Sequence, residues 1–582
     1  FPTPNPHPKP PSSTVSATEA AQFTMSEDSV ASIIVNSLYN AGVRIVFGIP
    51  GAKIDAIFDC LQDHPEIKLI VCRHEQNAAF MAAAVGRITG VPGVCIATSG
   101  PGASNLATGL VTATTEGDPV LALIGSVPRL QNTKRTHQSM KALDILGPTT
   151  KSAIPIDVED QAAEVILSAL RTAAVSPKGA TVVSIPADIA KEKSEILAFE
   201  SRAFKPPMYG AAPLETLDSA IAMIEKAELP VLFLGMRASS PRVVAMVRQL
   251  LTKFPMPTVE TFQAAGAVSK ELAHLFAGRV GLFRNQTGDK LLSKSDLIIA
   301  VGYDPVEYDA DMWNPDGSRK IIHIDYTPAD YGAYYHPVSE LLGSIVQNLS
   351  HFVQYLASVN DTTSSPLSKQ LSKEYLAWQD SPLTKRTSGL IQPLHFISTL
   401  QPLVSPSTTV TCDVGTVYIY MMRYFFSYEP RTLLCSNGQQ TLGVGMPWAI
   451  AASLTQSPPC SKKVISLSGD GGFMFSAQEL STAVQQRCNI THFIWNDEAF
   501  NMVQFQEEMK YGRGSGVSLG GVDFVKLAEA FGARGFRISD ASELKSVMQE
   551  ALAFEGVSIV DVRVDYSQSH QLAGRIAESE WN

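Results

Sequence analysis

Residues 464–506 read VISLSGDGGFMFSAQELSTAVQQRCNITHFIWNDEAFNMVQFQ, and no other stretch limits the fold as tightly. An apolar strand, Val464 to Leu467, runs into Ser468-Gly469-Asp470-Gly471-Gly472. A helix is predicted next, with Ser476 and Glu479 at the spacing of a capping box. A second apolar strand, Thr491 to Trp495, ends in Asn496-Asp497. A right-handed crossover makes the two strands parallel, and open α/β sheets bind ligands at the carboxyl ends of their strands. Asp470 and Asp497 therefore arrive at one edge. The glycines let backbone N–H groups approach a ligand closely, and the helix N-terminus favours negative charge. Two hard carboxylates beside such a turn suit a divalent cation bridging to a diphosphate. A lone Gly-Asp-Gly is most often a plain strand-to-helix turn. The return of Asn-Asp after the 24 residues 472 through 495 makes this pattern far more specific.

At 582 residues the chain exceeds what one core supports, and three domains are expected. The formal net charge of −10 argues against a nucleic-acid surface. Seven scattered cysteines, with no Cys-x-x-Cys, read as reduced thiols in a reducing compartment. That points to the cytoplasm, with an organelle left open by the N-terminal tail. The eleven histidines form no zinc-ligand pattern, and no apolar run is long enough to span a bilayer. Residues 1–27 open with a Pro-, Ser-, Thr- and Ala-rich stretch and are expected to be disordered.

Strand and helix alternate through the rest. A helix near Ser29 to Asn40 precedes strand Ile45-Val46-Phe47 and the turn Gly48-Ile49-Pro50-Gly51-Ala52. Strand Lys68 to Cys72 leads into Arg73-His74-Glu75, then a small-residue helix, Ala78 to Ile88, that should be buried. Strand Val94 to Thr98 ends in Ser99-Gly100-Pro101-Gly102, and strands Val120 to Ile124 and Thr181 to Ile185 complete a first domain over 28–192. A second domain, 215–355, carries strands Val231 to Leu234, Thr258 to Glu260, Leu297 to Val301 and Ile321 to Ile324. Its post-strand glycines lack the Gly-x-Gly-x-x-Gly pattern, so no dinucleotide is indicated. Residues 193–214 and 356–390 read as linkers. The third domain, 391–582, presents strand-end turns at Cys412-Asp413-Val414-Gly415-Thr416, Ser436 to Gly443, and Gly469 to Gly472. The fold class is α/β, with three doubly wound parallel sheets. Taken alone, Glu75 is a helix-start carboxylate meeting the dipole, His74 is structural, and the segment around Gln138 is a surface loop.

The Gly-Asp-Gly to Asn-Asp stretch resembles the signature of thiamin diphosphate enzymes. Further stretches resemble acetolactate (acetohydroxyacid) synthases, above all the catabolic type: FGIPGAKID from Phe47, RHEQNAAFMAAAVGRITG from Arg73, TSGPGASNLATG from Thr98, EGDPV from Glu116, FQAAGAV from Phe262, GRVGLFRNQTGD from Gly278, GYDPVEY from Gly302 and SNGQQTLGV from Ser436. The resemblance implies pyrimidine-binding, central and diphosphate-binding domains, and active sites formed between subunits of a homodimer or homotetramer. It implies Mg²⁺ held by Asp470, Asp497 and the carbonyl of Ala499. Relatives often carry Asn where Asp497 stands, which changes the charge but keeps an oxygen ligand.

Glu75 would drive the aminopyrimidine to its imino tautomer, and Gln138 would face the reacting carbon. Pro50, Gly51, Pro101, Gly102, Gly415, Thr416, Gln440, Leu442, Gly469, Gly471, Gly472 and Met502 would contact the cofactor, with Leu442 beneath its bend. Many relatives have His where Val417 stands, so backbone N–H groups would do more of the diphosphate binding here. Lys53, His137 and Gln506 would contact substrate. Two pyruvates would condense to 2-acetolactate with loss of CO₂. FAD is not expected, because the Gly-Met-His-Gly and Ala-Arg-Phe-Asp-Asp-Arg motifs of FAD-containing relatives are missing. Rival readings are another thiamin diphosphate decarboxylase or carboligase with a different acceptor, and a non-catalytic protein on this fold. No adjacent His-His pair supports a simple decarboxylase, and the expected carboxylates are all present.

Overall fold

The computed structural model describes residues 28–200, 207–360, 362–363, 365–572 and 574; the tail expected over 1–27 lies outside them. The first sheet is built from β1 (Ile45–Gly48), β2 (Lys68–Val71), β3 (Gly93–Ala97), β4 (Val120–Ser126), β5 (Ser152–Pro155) and β6 (Ala180–Pro186). The second uses β7 (Pro230–Leu234), β8 (Thr258–Thr261), β9 (Phe276–Val280), β10 (Leu297–Val301), β11 (Lys320–Asp325) and β12 (Ser339–Leu342). The third uses β13 (Val410–Cys412), β14 (Leu433–Cys435), β15 (Val464–Gly469), β16 (Ile490–Asn496), β17 (Arg534–Ile538) and β18 (Val557–Arg563). Every neighbouring pair is parallel. The inner strands are near-continuous apolar runs because helices cover both faces. Six of these strands, β5, β9, β12, β14, β17 and β18, go beyond the sequence reading. Most are short or lie at a sheet edge, where the apolar signal is weakest.

The strand orders are β2-β1-β3-β4-β6-β5, β12-β11-β10-β7-β8-β9 and β14-β13-β15-β16-β18-β17. The first and third are the same order on different residues. In each, chain direction across the sheet reverses beside its third strand in sequence, and a ligand crevice is expected at that switch point. It falls between β1 and β3 in the first sheet, and between β13 and β15 in the third. Gly469 pairs with Trp495, so β15 and β16 end together and deliver Asp470 and Asp497 to one edge.

Helix Glu75–Thr89 is buried from Asn77 to Gly86, and its small side chains let helix Gly445–Leu454 of the third domain lie against it. One apolar cluster therefore runs from Phe80 and Met81 to Trp448 and Ile450. Arg87 seals its end by stacking over Trp448 at 4.6 Å.

Two expectations need correction. Ser476 and Glu479 form no capping box: Glu479 is itself the first helical residue of Glu479–Gln485, and the buried Ser476 hydroxyl has no partner. The Glu479 carboxylate instead crosses to the first domain. Its Oε1 accepts from the Arg73 and His74 N–H groups at 2.8 and 3.0 Å and from Asn77 Nδ2 at 3.2 Å. A wholly buried carboxylate must be hydrogen-bonded, and the adjoining domain holds these donors. The stretch 356–390 is not simply a linker. It contains helix Pro366–Leu376, capped by Ser365, with Leu371 buried in the central domain's core.

Candidate active site

At the third sheet's switch point, three turns converge. Asp470, 5 % exposed, starts helix Asp470–Met474. Its Oδ1 accepts from Gly471 N–H at 2.7 Å and its Oδ2 from Glu498 N–H at 2.6 Å, which ties the β15 turn to the β16 turn. Asp497 lies one residue past β16, and Ala499 is pinned by a bridge to Ser518. Burial and the neighbouring Asp470 charge push the Asp497 carboxyl up to about 7; burial also raises Asp470. Two neighbouring carboxylates, one buried and one half-buried, repel each other, and a proton or a cation between them relieves that repulsion. Among the described residues no group of three or more His, Cys, Asp and Glu is gathered to hold a metal. The remaining ligands would have to come from a backbone carbonyl and from the bound anion.

The anion side is built from two helix starts. Helix Thr416–Tyr424 follows Gly415, and helix Asp470–Met474 follows Gly469; neither has a side-chain cap. Gly415 sits at φ +127° with open space where a Cβ would be, and a Cβ on Gly469 would meet only Trp495 O at 4.0 Å. Two uncapped helix starts around open space suit a diphosphate. Beneath them lies Asp413, 1 % exposed. It accepts from Val414 N–H at 2.8 Å, Gly443 N–H at 2.9 Å and Gly445 N–H at 3.3 Å, while burial raises its carboxyl to about 6. Gly472 packs on the same carboxylate, and Thr416 Oγ1 donates to Asn501 Oδ1 at 3.0 Å. Leu442 and Gln440 are half-buried on the loop that Asp413 anchors, with Gln440 at φ +49°. Helix Asn501–Tyr511 carries Met502, partly buried against the domain core, and the half-buried Gln506.

The first sheet's switch point holds a second group. Glu75 is the first residue of its helix and is buried; His74 caps that helix through Nδ1, as a structural role requires. Asn105 Nδ2 donates to Glu75 Oε2 at 2.9 Å, and Gly102 leaves room beside Oε1, where a Cβ would come within 3.3 Å. Gln138 has φ +60°, packs against Gly100 and accepts from Ser99 Oγ at 3.3 Å. These contacts hold a backbone conformation that non-glycine residues seldom adopt. Gly51 is locked on Thr98, where a Cβ would lie 2.5 Å away; Pro50, Pro101 and His137 are exposed, and Lys53 is half-buried. Among the described residues no hydrogen bond or ion pair joins this group to Asp470 and Asp497 within the chain.

Three family matches cover most of the sequence: the N-terminal TPP binding domain of thiamine pyrophosphate enzymes over 28–146, their central domain over 217–352, and their C-terminal TPP binding domain over 413–562. An acetolactate synthase of Bacillus subtilis (strain 168) is 47 % identical over 544 residues, 93 % of this chain and 94 % of that one. The catabolic acetolactate synthase of Raoultella terrigena is 43 % identical over 554 residues, 94 % and 97 % of the two chains. The chain belongs to the acetolactate synthases of the thiamine pyrophosphate enzyme family. A more distant relative, the acetolactate synthase isozyme 1 large subunit of Escherichia coli (strain K12), is 29 % identical over 92 % of this chain.

For an acetolactate synthase, the sequence assigns no site role to three residues that the structure places around the site: Asp413, Asn105 and Glu479. Asp413 ended a strand before a Gly turn, a signal that was available. Nothing local marks Asn105, and the spacing at Glu479 pointed to a helix cap instead; their partners lie 30 and more than 400 residues away.

Proposed function

We propose that this chain condenses two pyruvate molecules to 2-acetolactate with release of CO₂, using thiamin diphosphate and Mg²⁺. The observation that carries the reading is the mutually repelling pair of buried Asp470 and half-buried Asp497 beside two uncapped helix starts, in a chain 47 % identical over 93 % of its length to an acetolactate synthase. Asp470, Asp497 and the Ala499 carbonyl would hold the metal. The Gly415–Thr416 and Gly469–Gly472 turns would hold the diphosphate, and Leu442 and Met502 would flank the thiazolium. Thiamin diphosphate, when bound, supplies a nucleophilic carbon and a ring that accepts the electron pair left by CO₂. Glu75 holds a proton at the aminopyrimidine ring nitrogen, and Asn105 keeps its carboxylate aimed by occupying Oε2. Pro50, Gly51, Pro101 and Gly102 would wall that ring. Gln138, Lys53 and His137 would bind the pyruvate carboxylate and carbonyl, and Gln506 would line the acceptor site.

The active species is a homodimer or homotetramer, in which Glu75 of one chain faces the third domain of another. Supporting this, Met474 and Phe475 beside Asp470 are each 48 % exposed, an apolar pair a second copy would cover. FAD is not required. At the central sheet's carboxyl edge, Arg237 donates to Asp304 at 2.5 Å and pairs with Asp325 at 2.7 Å, so these strand ends satisfy one another. No nucleic-acid partner is expected at a net charge of −10. Among the described residues no helix is long and apolar enough to cross a membrane. All seven cysteines are free, in keeping with a cytoplasmic location.

Product analysis with pyruvate, alone and with competing 2-oxo acids, tests the reading. 2-Acetolactate, seen as acetoin after acidification, is the expected product. Acetaldehyde or acetate as the sole product would overturn it.

A further inference from the structure

The loop after β14, Ser436-Asn437-Gly438-Gln439-Gln440-Thr441-Leu442, has no regular structure yet begins fully buried. Buried N–H groups need acceptors, and three successive ones find the same carboxylate, in a different domain. Glu116 accepts from Asn437 N–H at 3.2 Å, Gly438 N–H at 3.0 Å and Gln439 N–H at 3.3 Å, and from Ser436 Oγ at 2.8 Å. Gln263 of the central domain adds a further donor. Consecutive N–H groups converging on an anion form a nest, and bonds to a charged acceptor are the strong kind.

Glu116 sits badly by local rules. It caps the C-terminus of helix Ala107–Thr115, where the helix dipole disfavours an acid, and it is 2 % exposed. Arg87, 3.6 Å away, offsets its charge while holding Asp118 at 2.8 Å. A residue that breaks local preference in a satisfied setting serves something beyond its own element. The same helix end grips the rest of the loop. Thr115 Oγ1 accepts from Gln439 Nε2 at 3.0 Å, and the Thr112 and Thr441 hydroxyls pair at 2.8 Å. Contact at Gly438 is so close that a Cβ would lie 2.6 Å from Thr115 Cγ2. Further along, Gly443 N–H is fixed on Asp413 at 2.9 Å. The backbone is thus anchored on both sides of Gln440, at φ +49°, and of Leu442.

We propose that Glu116 is a positioning residue, whose carboxylate templates the 436–442 loop so that Gln440 and Leu442 are presented to the cofactor. The inference rests on the assignment of those two residues to the thiamin diphosphate site. It makes the first domain of each chain a part of its own chain's cofactor site, although Glu116 touches neither cofactor nor substrate.

The test uses the full-length enzyme with saturating Mg²⁺, titrated with thiamin diphosphate and followed by tryptophan fluorescence, alongside pyruvate kinetics and melting. Glu116→Gln should weaken cofactor affinity about tenfold or more and lower kcat, with the KM for pyruvate little changed. A purely structural role would lower the melting temperature and leave the folded protein's cofactor affinity at the wild-type value; that result overturns the proposal. If Glu116→Gln does not fold, Gly438→Ala decides. Its Cβ would push the loop off Thr115 and weaken cofactor binding. Adding Thr115→Ser, which removes Cγ2 but keeps the hydroxyl that Gln439 uses, should restore it. Wild-type affinity in Gly438→Ala, or no rescue by the second change, also overturns the proposal. Wild-type enzyme that binds no thiamin diphosphate would instead sink the reading of the site beneath it.

Discussion

The Asp470–Asp497 pair sets stability against metal binding. Burial and then the Asp470 charge raise the Asp497 carboxyl from 3.8 to about 7. In the unfolded chain it ionises near its ordinary value. Between about pH 4 and pH 7 the folded, metal-free protein therefore holds a proton that the unfolded chain has released. Stability of the apo protein falls as pH rises through that window and levels off above it. Three pH units at about 1.4 kcal/mol each give an upper figure of about 4 kcal/mol, reduced by whatever solvent screens the partly exposed carboxylate. Asp497→Asn removes the charge and keeps the shape. The metal-free variant should melt several degrees above wild type at pH 8, and the gap should close toward pH 5, where wild type carries the proton. In the holoenzyme the order reverses, because the metal binds the deprotonated carboxylate. Wild-type Mg²⁺ affinity should climb about tenfold per pH unit up to pH 7 and flatten above, and the variant should lose that slope. Scanning fluorimetry of chelator-treated protein, with calorimetric titration of Mg²⁺ and thiamin diphosphate from pH 5.5 to 8, measures both. An apo variant no more stable than wild type at pH 8, or one that keeps the slope, would refute the electrostatic account.

Glu75→Gln should preserve the fold and cofactor binding yet slow exchange of the thiazolium C2 proton by about 10²- to 10⁴-fold, read by NMR; an unchanged rate removes Glu75 from proton transfer. Purified enzyme should be colourless and fully active without added FAD, and a yellow chromophore whose removal abolishes turnover would contradict this. Gln506→Trp should raise the share of 2-aceto-2-hydroxybutanoate formed from mixed pyruvate and 2-oxobutanoate. The added methylene gains about 0.8 kcal/mol when buried, within the about 1–3 kcal/mol that an apolar pocket can discriminate. An unchanged product ratio places Gln506 outside the acceptor site.

Spacing along the chain was enough for the α/β alternation, for the arrival of Asp470 and Asp497 at one edge, and for the burial of the small-residue helix after Glu75. These depend on period and handedness, which neighbouring residues dictate. The same logic failed at Ser476 and Glu479, where a three-residue spacing promised a local cap. The carboxylate went to Arg73, His74 and Asn77 because the docked domain offered several donors where the cap would have used one. Glu116 appeared only as part of a family stretch, and its role emerged from donors some 320 residues away. The raised Asp497 carboxyl likewise depends on how deeply two loops are buried together. The sequence by itself determined which side chains reach the sheet edges, since that is local geometry. Tertiary structure decided which buried charge finds which donor, since desolvation and hydrogen bonding act between segments that only packing brings together.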